Sequence, residues 1–269
     1  MCPEGPEVRR TADWLEEHVE KHVVRSVASA GRFEKKPIAR LDELKHKRCL
    51  AVRCRGKVIV LDFEEGVSAI STLGMSGRWT FSPDKHVALT LWRELPPARG
   101  ILPVYYVDQR RFGDFKVVDT REAIHKLDDL GWDPLIEPSG FGKARVRALK
   151  HTKKPISEVL LNQEVFAGVG NYVRAEALFR AKVNPDRLVV NIPDPVWDSL
   201  CEAVAAIMKE SYDHGGATLK NFYDGDGNRG DHVDFLSVYG KVHDPNGNMV
   251  ERKKDRNGRT VWWVPEVQR

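Results

Sequence analysis

Hydrophobic positions along the chain change their spacing twice. Residues 8, 12, 15 and 19 are apolar at helical intervals, and Pro6 suits a first helical turn because no backbone N–H is used there. Short runs rich in β-branched residues follow at 50–54, 58–63, 67–72, 87–92 and 104–107. Runs of that length predict strands, two of them joined by a tight turn at residues 55–57. We therefore expect an opening helix followed by a β-rich domain.

Helical spacing returns beyond residue 119, first at residues 122–127. The segment 131–142, which contains Pro and Gly, is interpreted as a linker. An Asp-Pro pair at 194–195 predicts an N-cap and first turn, and a Gly-Gly pair at 215–216 predicts the end of that helix. Two further β runs, 249–252 and 260–264, flank an Asn-Gly pair typical of a two-residue hairpin turn. The whole pattern predicts an α+β fold.

Composition narrows the class of protein. The 269 residues suffice for one large or two modest domains, and 41% hydrophobic with 30% charged residues excludes a mostly disordered or fibrous chain. No apolar run reaches the roughly 18 residues of a membrane span, and the N-terminus has no hydrophobic signal core. We therefore expect a soluble, intracellular protein without a membrane partner.

Cysteines and charges add two expectations. The four cysteines include no CxxC pair, so the sequence implies no metal site and no cofactor. The net charge is only +4, so a polyanionic partner must be inferred from where the cations lie. Six cations fall within residues 140–157 without an intervening acid: Lys143, Arg145, Arg147, Lys150, Lys153 and Lys154. Either a surface that binds a polyanion or a solvated helix face explains them.

The first seven residues hold candidate chemistry in Pro3, Glu4 and Glu7. A proline whose nitrogen is the chain terminus is a secondary amine, and an α-amine titrates about two units below lysine, so it is nucleophilic near neutral pH. Such an amine can attack C1′ of a nucleotide sugar, expel the base and leave a Schiff base. Glu4 would act as general acid or base and Glu7 would position its neighbours. The alternative is that these residues form only a turn and a helix start.

Six segments, in order along the chain, resemble the formamidopyrimidine-DNA glycosylase/endonuclease VIII family. They are PEGPEV at 3–8, RGKVIV at 55–60, LGMSG at 73–77, DQRRFG at 108–113, QEVFAGVGNYVRAEALFRAKVNP at 163–185 and GGATLKNF at 215–222. The fifth is similar to the family's helix-two-turn-helix signature and is highly specific. Together they span nearly the whole chain.

The resemblance implies roles for two loops that enter the DNA duplex. A base inside a duplex cannot be reached, so it must be extruded and the gap filled. Met75 and Phe112 are the implied apolar wedges, and Arg110 is the implied partner of the orphaned opposite base. Residues 215–222 lead into the lesion-capping loop. Without the resemblance, Met75 and Phe112 would be interpreted as core residues.

The resemblance also implies contacts with DNA phosphates. Lys57 lies in the RGKVIV hairpin and Arg111 in the second of the duplex-entering loops. Asn171 follows a Gly-Val-Gly turn whose glycines let backbone approach a phosphate at a helix start. An ordinary glycine turn with an Asn cap is the alternative for Asn171.

The C-terminal hairpin departs from the commonest family form. Most members end in a four-cysteine zinc finger whose hairpin presents an arginine to DNA phosphates, but this chain has no cysteine after Cys201. RTVWWVPEVQ at 259–268 is similar to the closing sequence of that finger, with Trp263 and Val267 at cysteine positions. The resemblance therefore implies a zincless finger. Arg259 would keep the phosphate role, and apolar contacts around Trp262 and Trp263 would replace the metal.

A second departure concerns the nucleophile. In the family the proline directly follows the initiator methionine, whereas Cys2 stands between Met1 and Pro3 here. Removal of Met1 alone would leave Pro3 as a tertiary amide without nucleophilicity. Three alternatives follow: Cys2 is trimmed as well, the α-amine of Cys2 attacks instead, or the enzyme is impaired. The first is preferred because it restores the terminal proline of the family.

By resemblance, we expect an N-terminal β-sandwich catalytic domain at 1–130, a linker at 131–142, a helix-two-turn-helix domain at 143–230 and a zincless-finger hairpin at 231–269. The expected function is a bifunctional DNA glycosylase/AP lyase of base-excision repair. It would remove oxidised bases through an N-terminal-amine Schiff base and cleave the strand by β,δ-elimination. Oxidised pyrimidines and ring-opened purines are expected ahead of 8-oxoguanine.

The expected partner is damaged double-stranded DNA, with single-stranded or bubble DNA as a further candidate, bound by a monomer. A nucleoid, a nucleus and a viral factory are equally compatible locations. Two other functions stay open. One is a non-catalytic binder of damaged or single-stranded DNA whose Pro3 is blocked. The other is an RNA-associated helix-two-turn-helix protein, which leaves Met75, Arg110 and Phe112 without a purpose.

Overall fold

The computed structural model describes residues 3–95, 100–217 and 223–269. These residues form two compact units. The first unit contains Pro3, Glu7–Asp128 and the described part of Gly215–Asp231, and the second contains Glu4–Pro6, Asp129–His214 and His232–Arg269.

Eight strands form the framework of the first unit: β1 (Val23–Ser29), β2 (Cys49–Arg55), β3 (Val58–Phe63), β4 (Val67–Thr72), β5 (Gly77–Thr80), β6 (Val87–Glu94), β7 (Ile101–Asp108) and β8 (Asp114–Asp119). They make two four-stranded antiparallel sheets, with strand orders β1-β6-β7-β5 and β2-β3-β4-β8. Helices α1 (Gly5–Val19), α2 (Arg32–Lys35) and α3 (Thr120–Asp128) and 3-10 turns at Leu41–Leu44 and Glu64–Gly66 complete it.

The core of the first unit lies between the two sheets. Trp79 of β5 is fully buried, and its ring centroid lies 5.3 Å from that of Tyr106 in the same sheet and 6.0 Å from that of Phe115 in the other. The apolar stripe predicted for α1 is buried in the same cluster. Apolar faces of two sheets packed together make a β-sandwich, which confirms the predicted α+β fold class.

The sequence pattern predicted the five strands that carry short β-branched runs and missed three other strands of the first unit. Strand β1 is at a sheet edge, and only Val24 of its seven residues is buried. An edge strand with one buried residue carries almost no periodic signal. Strand β5 is only four residues long, and β8 alternates charged with apolar side chains across a half-exposed face.

The second unit is mainly helical, with α4 (Phe141–Ala148), α5 (Ile156–Val159), α6 (Asn171–Arg180) and α7 (Asp194–Asp213), and with 3-10 turns at Leu149–His151, Val189–Asn191 and His232–Phe235. Three fully buried aromatic side chains pack at its centre: the Phe166 ring lies 6.0 Å from Trp132 and 5.7 Å from Trp197. The N-cap of α7 is Pro193, so the predicted cap, Asp194, is instead the first helical residue.

Residues 131–142, interpreted from sequence as a linker, begin inside the packed second unit. The backbone N–H of Trp132 donates to the Val165 carbonyl at 3.0 Å. Its indole N–H donates to the Glu137 carbonyl at 2.6 Å. A buried tryptophan therefore fixes the start of this segment.

A β-hairpin closes the chain, with β9 (Glu251–Lys254) paired to β10 (Thr260–Trp263). The predicted two-residue Asn-Gly turn is wrong. The N–H of Asp255 donates to the Arg259 carbonyl and that of Gly258 to the Asp255 carbonyl, each at 2.9 Å, which leaves residues 256–258 as a three-residue loop. Gly258 has a φ of 75°, the left-handed conformation that such loops require.

The hairpin packs on α6 through a small apolar group, here called the hairpin cluster: Ala175, Phe179, Val238, Tyr239, Val250, Trp262, Val264 and Val267. Trp262 therefore packs as the sequence predicted, but Trp263 does not. The Trp263 ring lies outside the hairpin cluster, under the Lys253 ammonium at 4.3 Å. Val264, not Trp263, is the fully buried companion of Val267.

Within the described residues, no helix is long and apolar enough to cross a membrane. The same part of the chain contains no group of three or more His, Cys, Asp or Glu side chains arranged to hold a metal ion. Cys49, Cys54 and Cys201 are free thiols and are buried.

Candidate active site and DNA-contacting loops

The Glu4 carboxylate lies at the N-terminus of α6. It accepts hydrogen bonds from the backbone N–H groups of Tyr172 at 2.9 Å and Val173 at 3.2 Å, and only 2% of the residue is exposed. These donors belong to the first helical turn, where N–H groups have no partner within the helix, so the position favours a negative charge. The sequence predicted Glu4 as a candidate acid–base residue, and the structure holds it rigidly.

Glycines allow the backbone to pack closely around Glu4 at the N-terminus of α6. A Cβ on Gly170 would lie 2.2 Å from the Glu4 carboxyl carbon, a distance no side chain tolerates. The N–H of Gly5 donates to the Gly168 carbonyl at 2.8 Å, and a Cβ on Gly5 would meet Met208 at 2.5 Å. The glycines at 168 and 170, expected from the sequence to approach a phosphate, therefore also receive the segment that follows Pro3.

Pro3 is buried and directly precedes Glu4. Cys2, the alternative source of the attacking amine, lies outside the described residues.

Glu7 stands in the first turn of α1 and is 1% exposed. Its carboxylate accepts the backbone N–H of Ala217 at 2.8 Å. Ala217 lies in residues 215–222, the segment that resembles the approach to a lesion-capping loop. Of that segment, residues 218–222 lie outside the described residues. Glu7 therefore bonds to the start of residues 215–222, and its positioning role stays a prediction.

Two loops of the first unit share one carboxylate. We call residues 73–77 the Met75 loop and residues 108–113 the Phe112 loop. Asp108 accepts from the Ser76 hydroxyl at 2.7 Å and from the Gly113 N–H at 2.8 Å, and Ser76 in turn accepts the N–H of Arg110 at 2.8 Å. Asp108 and Ser76 are 3% and 7% exposed. The two loops are thus one hydrogen-bonded structure.

Backbone packing ties the same loops together. A Cβ on Gly74 would lie 2.3 Å from the Phe112 carbonyl carbon, so only glycine fits. The Tyr106 hydroxyl donates to the Thr72 carbonyl at 2.9 Å and fills the space beside Gly113. Burial raises the pKa of Tyr106, which keeps this hydroxyl protonated as a donor.

On this base the predicted wedge residues project outward. Phe112 is 61% exposed, an unusual exposure for phenylalanine, and Met75 is half-buried. The Arg110 guanidinium lies 5.4 Å from the Phe112 ring centroid. Arg111 is exposed and has a φ of 60°, in the left-handed region. The two bonded loops carry Met75, Arg110 and Phe112, and the exposure of Phe112 contradicts the alternative that it is a core residue.

Lys57 occupies the turn between β2 and β3. Gly56, before it, has a φ of 58°, so the turn places Lys57 at the tip of the hairpin, where it is half-buried.

The second unit contains a buried ion pair that the sequence did not predict. The Arg174 side chain is 0% exposed, and Asp255, 3% exposed, accepts from it at 2.9 Å. Arg174 also donates to the carbonyls of Thr260 at 3.0 Å and Ser157 at 3.3 Å, and to the Asn171 side-chain oxygen. One guanidinium therefore joins α6 to both sides of the hairpin loop.

Asn171 is part of this network. Its amide donates to the Thr260 carbonyl at 3.1 Å, so the side chain is held between α6 and β10. The Asn171 side chain also hydrogen-bonds to that of Tyr239, and its contact with a phosphate stays a prediction.

Arg259 follows the hairpin loop and is exposed. Its backbone N–H donates to the Asp255 carboxylate at 2.9 Å, as does that of Asn257. Burial opposes ionisation of Asp255, but the hydrogen bonds from Arg174 and from these N–H groups, with the Arg174 charge, outweigh it and lower the pKa of Asp255. The buried pair thus fixes the backbone that carries Arg259.

The run of cations at 140–157 is partly engaged within the protein. Contacts with neighbouring acids or carbonyls are made by Lys143 with Glu137, Arg145 with Asp194 and the Ile192 carbonyl, and Arg147 with the carbonyls of Asp129 and Glu164. Three of the six cations therefore stabilise the second unit, so the run is not simply a polyanion-binding face.

Two protein-family models match this chain. Residues 2–115 match the formamidopyrimidine-DNA glycosylase N-terminal domain, and residues 130–223 match the H2TH domain of the same glycosylase. The formamidopyrimidine-DNA glycosylase of Cronobacter sakazakii is 30% identical over 271 residues, covering 97% of each chain. The chain belongs to the formamidopyrimidine-DNA glycosylase family. The formamidopyrimidine-DNA glycosylase of Desulfitobacterium hafniense is also 30% identical to this chain, over 90% of each chain.

Solved structures of the formamidopyrimidine-DNA glycosylase family agree. The MutM (Fpg) protein of Thermus thermophilus has a TM-score of 0.87 and 31% identity, covering 99% of this chain and 98% of that one. Lactococcus lactis Fpg in complex with DNA containing an abasic site has a TM-score of 0.84, 25% identity and coverage of 99% of each chain. The predicted family, fold and enzyme class, DNA glycosylase, are thereby confirmed.

Sequence reasoning missed the residues that position the site of this family member. Asp108 opens the DQRRFG segment, but its bonds to Ser76 and Gly113 depend on tertiary pairing of two loops. Arg174 was read only as part of the helix-two-turn-helix signature. Seven residues of α6 are buried, and Arg174 is the basic one among them. An arginine at such a position is the signal that could have indicated a buried partner.

Proposed function

We propose that this chain is a bifunctional DNA glycosylase/AP lyase of base-excision repair whose nucleophile is the nitrogen of Pro3. The observation that carries the proposal is the buried Glu4 carboxylate, fixed by the first turn of α6 directly after Pro3. A rigid acid–base group adjacent to a secondary amine is the pair of functions that amine catalysis at C1′ needs.

The proposed reaction begins when the lone pair of the Pro3 nitrogen attacks C1′. The C1′–base bond breaks, and the base leaves with the electron pair of that bond and takes a proton from water. The Glu4 carboxylate accepts the proton that the attacking amine loses, and it passes this proton to the ring oxygen as the sugar opens to an iminium ion. Loss of a C2′ proton then expels the 3′ phosphate, a second elimination expels the 5′ phosphate, and water releases the sugar fragment from the amine.

Recognition is proposed to divide between the two units. In the first, Met75 and Phe112 fill the gap left by the extruded base, Arg110 pairs with the opposite base, and Lys57 and Arg111 contact phosphates. In the second, Asn171 and Arg259 bind phosphates. Exposure of the Phe112 ring and the rigid loop base beneath it support the wedge role.

Trapping with sodium borohydride tests the chemistry. Reduction of the Schiff base should link the protein covalently to an oligonucleotide with one abasic site. The intact mass of the same sample identifies the mature N-terminus. We expect adducts only from molecules that begin at Pro3. A variant that retains one residue before Pro3 and cannot be trimmed is the control.

Equal trapping by that control would assign the attack to another amine. Binding of damaged duplex without any adduct would favour the alternative function, a non-catalytic binder with a blocked Pro3.

The preference among lesions is a separate proposal. We propose faster excision of oxidised pyrimidines and ring-opened purines than of 8-oxoguanine, from duplex DNA, by a monomer. A Lactococcus lactis Fpg structure with DNA containing an oxidised pyrimidine, at 25% identity and a TM-score of 0.83, supports the pyrimidine part. Single-turnover rates on matched duplexes with each lesion provide the test, and faster excision of 8-oxoguanine would contradict it.

A further inference from the structure

A single arginine outside both loops holds the backbone of the Phe112 loop. The Arg32 guanidinium donates to the Arg111 carbonyl at 2.7 Å and to the Gly113 carbonyl, and lies 3.4 Å from the Asp114 carboxylate. These carbonyls stand on either side of Phe112. The planar guanidinium offers parallel donors, so one side chain fixes two carbonyls at a set separation.

Arg32 itself stands on a fixed support. The neighbouring Phe33 is 5% exposed and belongs to the core of the first unit, and the N–H of Ala30 donates to the Ala88 carbonyl of β6 at 2.9 Å. The guanidinium carbon lies 4.3 Å from the Phe33 ring centroid, which restricts the side chain further. The hydrogen bonds of Arg32 therefore fix the Phe112 loop relative to the sheet that contains β6.

The loop needs such support because its backbone is strained. Arg111 has a φ of 60°, a left-handed conformation that is unfavourable for a residue with a side chain. Asp108 holds the loop ends through Gly113 and Ser76, but not the Arg111 carbonyl. Arg32 binds that carbonyl directly, so it stabilises the conformation that aims Phe112 outward.

We propose that Arg32 is a positioning residue that keeps the Phe112 ring ready to enter the DNA stack when a base is extruded. The inference rests on the proposed function of Phe112 as a wedge. It assigns to Arg32 no contact with DNA and no part in the attack on C1′. Its effect is on insertion and should vanish wherever no stacked duplex has to be opened.

An exposed ion pair with Asp114 is the competing explanation of the same contacts. The Arg32 side chain is 23% exposed and that of Asp114 46%, and such pairs contribute little to stability. That explanation leaves the two carbonyl contacts without a consequence for DNA. The two explanations separate in an assay of insertion.

The experiment uses the full chain and a duplex with 2-aminopurine next to the lesion, whose fluorescence rises when the base stack opens. For Arg32→Met we expect the stopped-flow insertion step to slow about tenfold, as small misplacements of a working group do. Single-turnover excision from the duplex should slow equally. Borohydride trapping on a single-stranded abasic oligonucleotide should stay within about twofold of the wild type.

Arg40→Met is the matched control. Arg40 lies on the same segment after β1, and its guanidinium bonds to Glu43 and to Asp119, the last residue of β8. Losing it removes a comparable set of bonds without touching either loop. We expect normal insertion by this variant.

Two further variants make the test decisive. Arg32→Lys keeps the charge and the contact with Asp114 but cannot bridge both carbonyls, so it should insert slowly. Full rescue by lysine would overturn the proposal in favour of charge alone. In a Phe112→Ala background, Arg32→Met should have no additional effect on insertion, and an additive effect would overturn it.

Equal slowing of single-stranded trapping by Arg32→Met would also overturn the inference, because it would show general damage to the protein. Failure of the wild type to trap would contradict the proposed glycosylase function instead. The fluorescence step would then still report on Arg32, since insertion precedes attack.

Discussion

Replacing Arg174 with methionine tests whether the buried ion pair holds the hairpin. Methionine keeps an unbranched apolar stem of similar length and removes the charge with all its hydrogen bonds. Asp255 then keeps a buried charge without its cation, and the carbonyls of Thr260 and Ser157 lose a donor.

The burial of the Arg174 and Asp255 side chains sets the size of the expected loss in the free energy of unfolding. Breaking a buried pair by removing one partner costs about 3–5 kcal/mol, and exposures of 0% and 3% leave no solvent to screen the remaining charge. Asp255 still accepts from the backbone N–H groups of Asn257 and Arg259. We therefore expect a loss near the low end, about 3 kcal/mol in the free energy of unfolding.

Urea unfolding followed by tryptophan fluorescence measures this free energy, with Arg180→Met as control. Arg180 lies on the same helix and makes a bidentate pair with Glu210 at 2.7 and 2.8 Å, but both side chains are 46% exposed. Loss of this exposed pair should cost less than about 1 kcal/mol. In the double variant Arg174→Met, Asp255→Asn the penalty should be smaller than the sum of the single changes, because neither charge is left alone.

A loss in the free energy of unfolding for Arg174→Met no larger than that for Arg180→Met would refute the reasoning, since it would show that the hairpin does not depend on the buried pair.

The Arg174→Met variant should bind abasic-site duplex as weakly as Arg259→Ala does. Tight binding of the duplex by Arg174→Met would show that Arg259 does not need a fixed backbone to bind DNA.

Three further outcomes are expected. Gly170→Ala should displace the Glu4 carboxylate and lower single-turnover lyase rates, with a normal rate contradicting the fixed position of Glu4. Folding lowers the pKa of Asp255, so its contribution to the free energy of unfolding is complete at pH values above the unfolded pKa, about 3.9. That contribution is lost as the pH falls through the folded pKa. The free energy of unfolding of Asp255→Asn should not show this loss. Burial raises the pKa of Cys49 to about 12 and also raises that of Cys201, so native iodoacetamide labelling at pH 8 should leave both unmodified by intact mass.

Local signals predicted most of the first unit. The strands β3 and β4 match the predicted ranges because both are bounded by turn residues and are rich in β-branched residues. The N-terminal segment and the helix-two-turn-helix signature identified the family before any geometry was known. Edge strand β1 escaped because its single buried residue produces no period.

The hairpin loop escaped for a different reason. Asn-Gly is a strong turn signal, but the carboxylate of Asp255 captures the N–H groups two and four residues ahead and lengthens the loop by one residue. The same pattern recurs at Asp244, which accepts from Asn246 and Asn248. Aspartate two residues before Asn-Gly was therefore the overlooked signal, and Arg174 could not be paired with it without tertiary structure.

The loop that carries Arg259 has a chemical consequence of its own. Conditions that oxidise DNA bases also oxidise cysteine thiolates, and a finger closed by four of them is vulnerable to the same insult as its substrate. Here a guanidinium, a carboxylate and the apolar side chains of the hairpin cluster hold the turn, and none of these groups is a thiol or a thioether. The hairpin of this protein should therefore keep its shape through oxidative stress and zinc starvation alike, and strong acid is what should loosen it.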